Sequence, residues 1–284
     1  MKKLSIIILN YNVTALLRSC LRSIQKYADG IDYEIIVADN HSTDTSWKAL
    51  ESEFPEVLFL GLEHNYGFSI ANNKAVQRAT GEYILLLNPD TELVQEGLSK
   101  VLEFAESQPN MGCLGARMYN AEGHFLPESK RSVPDFANAF EKLFLPFFVT
   151  KTSRKNYYRN DVDELEIAPV EVITGAFLLM KRALYNQVGG LDERYFMYGE
   201  DIDLCYTLLK KGYQNYYYGT YAILHHKGQS TVKDERYIQR FYGAMHLFLD
   251  KYYKDQPLKY FMLKQGLRLK TFIEYRKTKP AKST

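Results

Sequence analysis

Four short apolar runs in the first 90 residues alternate with stretches of helical periodicity, and this narrows the fold more than any other feature. The runs are Leu4-Ser5-Ile6-Ile7-Ile8-Leu9, Glu34-Ile35-Ile36-Val37-Ala38, Val57-Leu58-Phe59-Leu60 and Tyr83-Ile84-Leu85-Leu86-Leu87. Near-continuous apolar runs of this length read as strands buried on both faces. Between the first two, Val13, Leu16, Leu17, Cys20, Leu21 and Ile24 recur at helical spacing behind Asn12, a candidate N-cap. Residues 46–54 and 69–79 read as further helices. The alternation predicts an α/β fold: a mostly parallel, Rossmann-like sheet flanked by helices. Right-handed crossovers put every parallel strand's carboxyl end on one edge. Asn10-Tyr11-Asn12, Asp39-Asn40 and Asn88-Pro89-Asp90 should therefore converge where open α/β sheets bind ligands.

From Tyr119 to about Val170 the periodicity breaks, with Pro127, Pro134 and Pro146 as punctuation. Long irregular insertions in compact domains tend to be functional. Residues 170–180 resume a strand, interrupted by Thr174-Gly175-Ala176. Residues 200–211 read as a helix closed by Gly212, 221–224 as a strand running into His225, and 236 onward as amphipathic helices. With no repeat and no low-complexity linker, the expectation is one catalytic domain over 1–232, divided into halves 1–116 and 117–232. A helical extension over 233–284 follows it.

That extension is basic. From Lys251 onward ten Lys and Arg face only Asp255 and Glu274, although the whole chain of 284 residues carries a net charge of only +2. A basic, aromatic tail suits anionic lipid headgroups; a solvated helix fits the same residues. Nucleic acid is not expected, because no aromatic-plus-basic sheet motif accompanies the charge. Three widely spaced cysteines (Cys20, Cys113, Cys205) in apolar contexts read as buried free thiols, which suits a reducing cytosol. No apolar stretch approaches the roughly 20 residues of a membrane span, and the short run after Lys2-Lys3 does not read as a signal peptide.

Asp90, directly after a buried strand, suits a divalent ion held mostly by substrate phosphates; Asn-Pro-Asp-Thr is equally good turn chemistry. Asp39 can accept a hydrogen bond from a base or ribose, or close an Asx turn. Glu200, Asp201 and Asp203 crowd the first turn of a helix. Such acids complement the helix dipole, but three exceed what capping needs, and crowded carboxylates suit a general base. His225-His226 offers one imidazole for a metal and one structural residue. Lys227-Gly228 with Ser230-Thr231 could touch phosphate. There is no GxxxxGK[ST], no GxGxxG after the first strand and no GxSxG.

Taken in order, eight pieces resemble the inverting family-2 glycosyltransferases of the GT-A fold, in particular the rhamnosyltransferase-like branch of bacterial polysaccharide assembly. They are Ser5 to Asn12; Val37 to Asp44; Asn65-Tyr66-Gly67-Phe68 with Asn72-Asn73; Leu87 to Asp90; Thr174-Gly175-Ala176; Gly189 to Glu193; Glu200 to Asp203; and His225-His226. The resemblance implies that Asn10, Tyr11, Asn12 and Asp39 line a nucleotide pocket with Asn65, Asn72 and Asn88 nearby, and that Gly175-Ala176 pass the donor sugar. It implies Asp90 and His225 as ligands of Mn²⁺ or Mg²⁺, with Asn88 in place of the first acid of the family's DxD element. It implies Asp201 as catalytic base, oriented by Glu200 and Asp203. The implied partners are a dTDP- or UDP-sugar donor and a glycan or lipid-linked oligosaccharide acceptor. A cytoplasmic protein, peripheral on the inner face of the cytoplasmic membrane where it meets a lipid-linked acceptor, would account for both the basic tail and the thiols.

Two other functions compete. A sugar nucleotidyltransferase would want a basic glycine-rich loop after the first strand, and Asn10-Tyr11-Asn12 is not one. A non-catalytic sugar- or lipid-binding module would be free to lose Asp90 or Asp201, and both are present.

Overall fold

The computed structural model describes residues 2–28, 30–133, 157–226 and 235–278. Most of the irregular insertion, the Lys227–Thr231 loop, Lys279 and Lys282 lie outside the described residues. A single sheet runs through both halves of the chain. Its strands are β1 (Leu4–Asn10), β2 (Tyr33–Asp39), β3 (Val57–Gly61), β4 (Tyr83–Leu87), β5 (Thr91–Leu93), β6 (Met111–Tyr119), β7 (Ile167–Val170), β8 (Phe177–Lys181) and β9 (Gln214–His225). Spatially they follow the order β3-β2-β1-β4-β8-β6-β9-β5, with β7 paired to β9.

β1, β2, β3 and β4 are mutually parallel, as the alternation predicts. The second half is mixed rather than mostly parallel: β8 runs antiparallel to β4 and β6, while β6 and β9 are parallel to each other. The reversal has a local cause. Residues 170–180 are not one interrupted strand; β7 and β8 pair with different neighbours, and Thr174-Gly175-Ala176 turns the chain between them. β9 also begins seven residues before the expected Tyr221.

Helices cover both faces. On one side, Ile6 and Ile8 pack with Leu17, Cys20, Leu21 and Ile24 of α1 (Thr14–Tyr27) and with Leu98 and Leu102 of α4 (Leu98–Ser107). On the other, Ile7 joins Ala75 of α3 (Gly67–Val76), Leu184 of α5 (Arg182–Val188) and Leu204 and Leu208 of α6 (Glu200–Lys210). The period of two along β1 thus divides into two cores. Each fully buried Leu or Ile contributes about 1.5–3 kcal/mol of transfer free energy. The expected helix over 46–54 is a 3₁₀ turn, Thr45–Ala49, followed by the four-residue α2 (Leu50–Glu53).

Asn215 knits the second half: its fully buried amide accepts from the Cys113 N–H and donates to the carbonyls of Glu171 and Cys205. The three thiols are buried and free, Cys113 and Cys205 touching at 3.7 Å. The C-terminal region forms α7 (Glu235–Tyr252) and α8 (Pro257–Thr278). It is no loose tail: Phe248 and Leu249 of α7 pack with Leu263 of α8 and with Ile202 and Tyr206 of α6.

Candidate functional site

Parallel pairing brings the ends of β1, β2 and β4 to one edge, with Asn10 in register with Asp39. Because β8 is antiparallel, its beginning arrives there too: the Asn88 N–H donates to the Ala176 carbonyl at 3.1 Å. β9 ends there as well, and its pairing with β5 sets Thr91 opposite His225.

A first network fills the β1–β2 end. Asp39 is buried; its Oδ1 accepts from Asn10 Nδ2 at 2.7 Å and from Ser42 Oγ at 2.6 Å, and its Oδ2 accepts from the Ser42 N–H. Asn10 Oδ1 is buried without a partner among the described residues. Asn12 does not cap α1. It takes a left-handed backbone (φ 57°), and its Oδ1 accepts from the N–H groups of Thr43 and Asp44, tying the two loops together. Tyr11 is exposed. Asn65 accepts from Asn40 Nδ2 and the Gly67 N–H, while Asn40 Oδ1 receives the Tyr66 N–H. Asn40, placed at this edge by the strand order but given no role from the sequence, is the connecting residue. Gly67 is required: its φ is +79°, and a Cβ would collide with the Phe196 carbonyl. Asn72 is buried, bonding the Phe68 carbonyl of its own helix.

Next to this network opens a cleft of about 640 Å³, whose walls include Asn88, Asp90, His225, Gly175, Ala176 and the start of α6. Asp90 Oδ1 lies 3.3 Å from His225 Nε2, and both side chains are largely buried. Among the described residues, Asp90 Oδ1 and His225 Nδ1 have no hydrogen-bond partner. Orphaned buried polar atoms call for an explanation, and a hard carboxylate oxygen beside an imidazole fits Mn²⁺ or Mg²⁺. Among the described residues no three His, Cys, Asp or Glu groups gather, so the donor set suits an ion that takes its other ligands from a diphosphate and water. His226 is turned away, its Nε2 2.8 Å from Glu92 Oε1.

The three acids of α6 separate. Asp201 faces the cleft; its Oδ2 receives Arg131 Nη2 at 2.6 Å and, more weakly, the Gly175 N–H, and its Oδ1 receives the Ile202 N–H. Glu200 is buried, its Oε2 without a partner among the described residues. Burial first, and the neighbouring Asp201 charge second, push its pKa well above the glutamate range. Asp203 lies on the far side, where Oδ2 receives Lys251 Nζ at 2.7 Å and Oδ1 receives the Tyr252 hydroxyl at 2.9 Å. Burial raises its pKa, against the pull of Lys251. Asp203 was expected to orient Asp201, but its bonds run to Lys251 and Tyr252, and among the described residues it is Arg131 that holds Asp201.

Arg131 comes from the irregular stretch, where no periodicity marked it. Burial lowers its pKa, but Asp201 and Tyr157 outweigh that and the guanidinium stays charged. Its Nη2 also donates to the Ile173 carbonyl. One further wall is Phe241, Ala244, Met245 and Phe248 of α7, a helix expected to be only an extension, and Phe68, Tyr157, Tyr158, Met197 and Tyr198 line the cleft beside it. Asn73 anchors the Gly189–Glu193 turn, donating to the Leu191 carbonyl and accepting from its N–H and from the Tyr185 hydroxyl.

Known proteins bear on this arrangement. Residues 5–189 match the model of glycosyl transferase family 2. The N-acetylglucosaminyl-diphospho-decaprenol L-rhamnosyltransferase of Mycobacterium tuberculosis H37Rv is 31% identical over 211 residues, covering 70% of this chain and 68% of that protein. The rhamnosyltransferase WbbL of Escherichia coli K12 is 28% identical over 206 residues, 70% of this chain and 75% of its own. A mannosyltransferase of Pyrobaculum calidifontis, solved with GDP-Man and Mn²⁺, superposes with a TM-score of 0.62 at 17% identity, over 96% of this chain and 70% of that one. The family match decides for glycosyl transfer over nucleotidyl transfer. The chain belongs to glycosyl transferase family 2 and is a glycosyltransferase with the GT-A fold.

Proposed function

We propose that this protein moves a deoxyhexose or hexose, with inversion, from a nucleoside-diphosphate sugar to a hydroxyl of a glycan or lipid-linked oligosaccharide in cell-surface polysaccharide synthesis. The observation that carries the reading is that Asp201 and the Asp90–His225 pair line one cleft. The rhamnosyltransferase relatives support dTDP-rhamnose as donor, with a UDP-sugar as the second choice. The diphospho-decaprenol in one relative's name supports a lipid-linked acceptor, met at the inner face of the cytoplasmic membrane.

Asn10, Tyr11, Asn12, Asp39, Asn65 and Asn72, with Asn88, form the nucleotide side, and Gly175-Ala176 pass the sugar. Asp90 and His225 would hold Mn²⁺ or Mg²⁺, which when bound neutralises the charge of the departing diphosphate. The acceptor oxygen attacks the anomeric carbon as its bond to the diphosphate oxygen breaks, and the hydroxyl proton passes to Asp201. One displacement gives inversion through an oxocarbenium-like transition state. The diphosphate leaves with the bonding pair and needs no general acid. Glu200 is buried with its pKa raised by that burial, and the base on this reading is the cleft-facing Asp201. On this reading the transferase unit spans 1–232, with nucleotide and acceptor halves meeting at 116/117, and 233–284 lends α7 to the acceptor wall.

The test is incubation of the full chain with Mn²⁺, dTDP- and UDP-sugars and an N-acetylglucosaminyl-diphospho-lipid, reading the product's anomeric configuration by NMR. Inversion, lost in Asp201→Asn, is expected. Retention of configuration, or a fully active Asp201→Asn, would overturn the proposal.

A further inference from the structure

Helix α8 is apolar on two opposite sides. Its inner side carries Leu263 and Leu267 against α7 and its surroundings. Its outer side carries Leu258, Phe261, Met262, Leu269, Phe272 and Ile273, all exposed, Leu258 by 74% and Phe261 by 60%. Steps of three and four residues place these six on one stripe. Among the described residues nothing covers it, and an exposed apolar patch of this kind marks an interaction surface.

The charges around the stripe identify what covers it. Lys259 and Lys270 border it on one side, Arg268 on the other, and Arg276 continues it beyond Phe272, with its guanidinium over that ring. The helix has a single acid, Glu274, on the inner side and paired with Lys270. A second copy of the chain is a poor occupant, because pairing two such faces would bring Arg268 and Arg276 of both copies together with no acid between them. Among the described residues no helix is long and apolar enough to cross a membrane. An apolar stripe bordered by Lys and Arg is instead the pattern of a helix lying in the plane of a lipid interface.

We infer that the outer face of α8 docks on an anionic lipid surface, with Phe261, Leu269 and Phe272 entering the headgroup–acyl boundary and Arg268 and Arg276 meeting lipid phosphates. The inner face of α8 packs on α7, whose Phe241, Ala244 and Met245 line the cleft. Helix axes pack about 8–10 Å apart, so docking holds the cleft wall one helix away from the bilayer. The purpose of the surface rests on the proposed lipid-linked acceptor; its geometry does not.

The experiment is flotation of the full chain with phosphatidylcholine–phosphatidylglycerol vesicles and with pure phosphatidylcholine vesicles, at low and high salt. The wild type should float with the anionic vesicles at low salt and sink with the neutral ones. Removing a cation at such a surface weakens binding about fivefold, so Arg268→Gln/Arg276→Gln should lose about 25-fold. Phe261→Ser/Leu269→Ser/Phe272→Ser should abolish flotation. Failure of the wild type to float, or a triple variant that floats like the wild type, would overturn the inference. So would a wild-type dimer in light scattering that the triple variant dissolves, since that makes the occupant a second copy. Transfer to a short-chain, detergent-free acceptor should be unchanged in both variants. Loss of flotation with retained transfer therefore speaks for the surface alone, and absence of transfer in the wild type speaks only against the proposed reaction.

Discussion

Arg131 and Asp201 are joined across the cleft by a 2.6 Å hydrogen-bonded ion pair between side chains 12% and 14% exposed. The pair ties the irregular segment to the first turn of α6, so the acid at the centre of the cleft is held from the side of the chain least marked by periodicity. Removing one partner of a buried pair leaves the other charge uncompensated, at a cost of about 3–5 kcal/mol. Arg131→Gln should lower the urea-unfolding free energy by that order and reduce kcat by at least tenfold. Arg131→Lys should recover most of the stability but less of the rate, since the shorter lysine side chain does not place its ammonium where Nη2 bonds both Asp201 and the Ile173 carbonyl. Equal recovery of both by lysine would show that only the charge matters.

Glu200 gives a pH signature. Its folded pKa is raised, so between the ordinary glutamate value of 4.5 and that raised value the folded protein keeps a proton the unfolded chain has released. Stability from this group is complete below the ordinary value and falls as pH rises through the window, by up to about 1.4 kcal/mol per pH unit. Glu200→Gln should remove that slope and be more stable than the wild type near neutrality. Parallel stability–pH curves for the two proteins would refute the account.

Lys251 reaches from α7 to Asp203 at 2.7 Å and Asp192 at 2.9 Å. Lys251→Met should destabilise by about 3–5 kcal/mol, because Asp203, only 3% exposed, would lose its counter-charge and keep only the Tyr195 and Tyr252 hydroxyls. Adding Asp203→Asn should restore much of the loss. A double-mutant cycle in urea measures the coupling; additivity would mean the three groups do not act together.

Ligand-linked stabilisation tests the Asp90–His225 pair. A nucleoside diphosphate at a hundred times its Kd stabilises the folded state by about 2.7 kcal/mol. In the wild type that gain should depend on Mn²⁺. Asp90→Ala and His225→Ala should abolish the Mn²⁺-dependent part in a thermal melt. A wild-type gain indifferent to EDTA would remove the metal from the picture.

Legibility in the sequence followed periodicity. β1, β2 and β4 were readable because each is a largely buried parallel strand with few polar interruptions; β3 was readable from its apolar run, although it is the half-exposed edge strand and not one buried on both faces. Their shared edge followed from crossover handedness alone. Asp90, Asp201 and His225 were readable because each stands at the end or start of a regular element. Arg131 was not: it stands in an isolated bridge to Val172 outside any regular strand, and its ion-pair partner is 70 residues away. The direction of β8 was hidden because an apolar run looks the same both ways; only the turn at Thr174–Ala176 fixes it. α7 showed its amphipathic face, but periodicity does not say what that face packs against. Asp203 looked like its neighbours in sequence, and only the angular separation along the helix sends it toward Lys251 instead of the cleft.

The position of α7 also bears on the order in which the molecule can work. Every strand of the sheet precedes it, and domains fold as the chain emerges, N-terminal parts first. A nascent chain reaching His225 holds Asp90, Asp201 and His225 but still lacks the wall built by Phe241, Ala244 and Met245. The cleft is closed on that side by a helix that leaves the ribosome after all nine described strands, and α8, whose outer face we infer to dock on lipid, follows at once. Completion of the acceptor wall and arrival at the membrane would then be nearly one event, and a half-made enzyme would find neither a shaped pocket nor its substrate's surface.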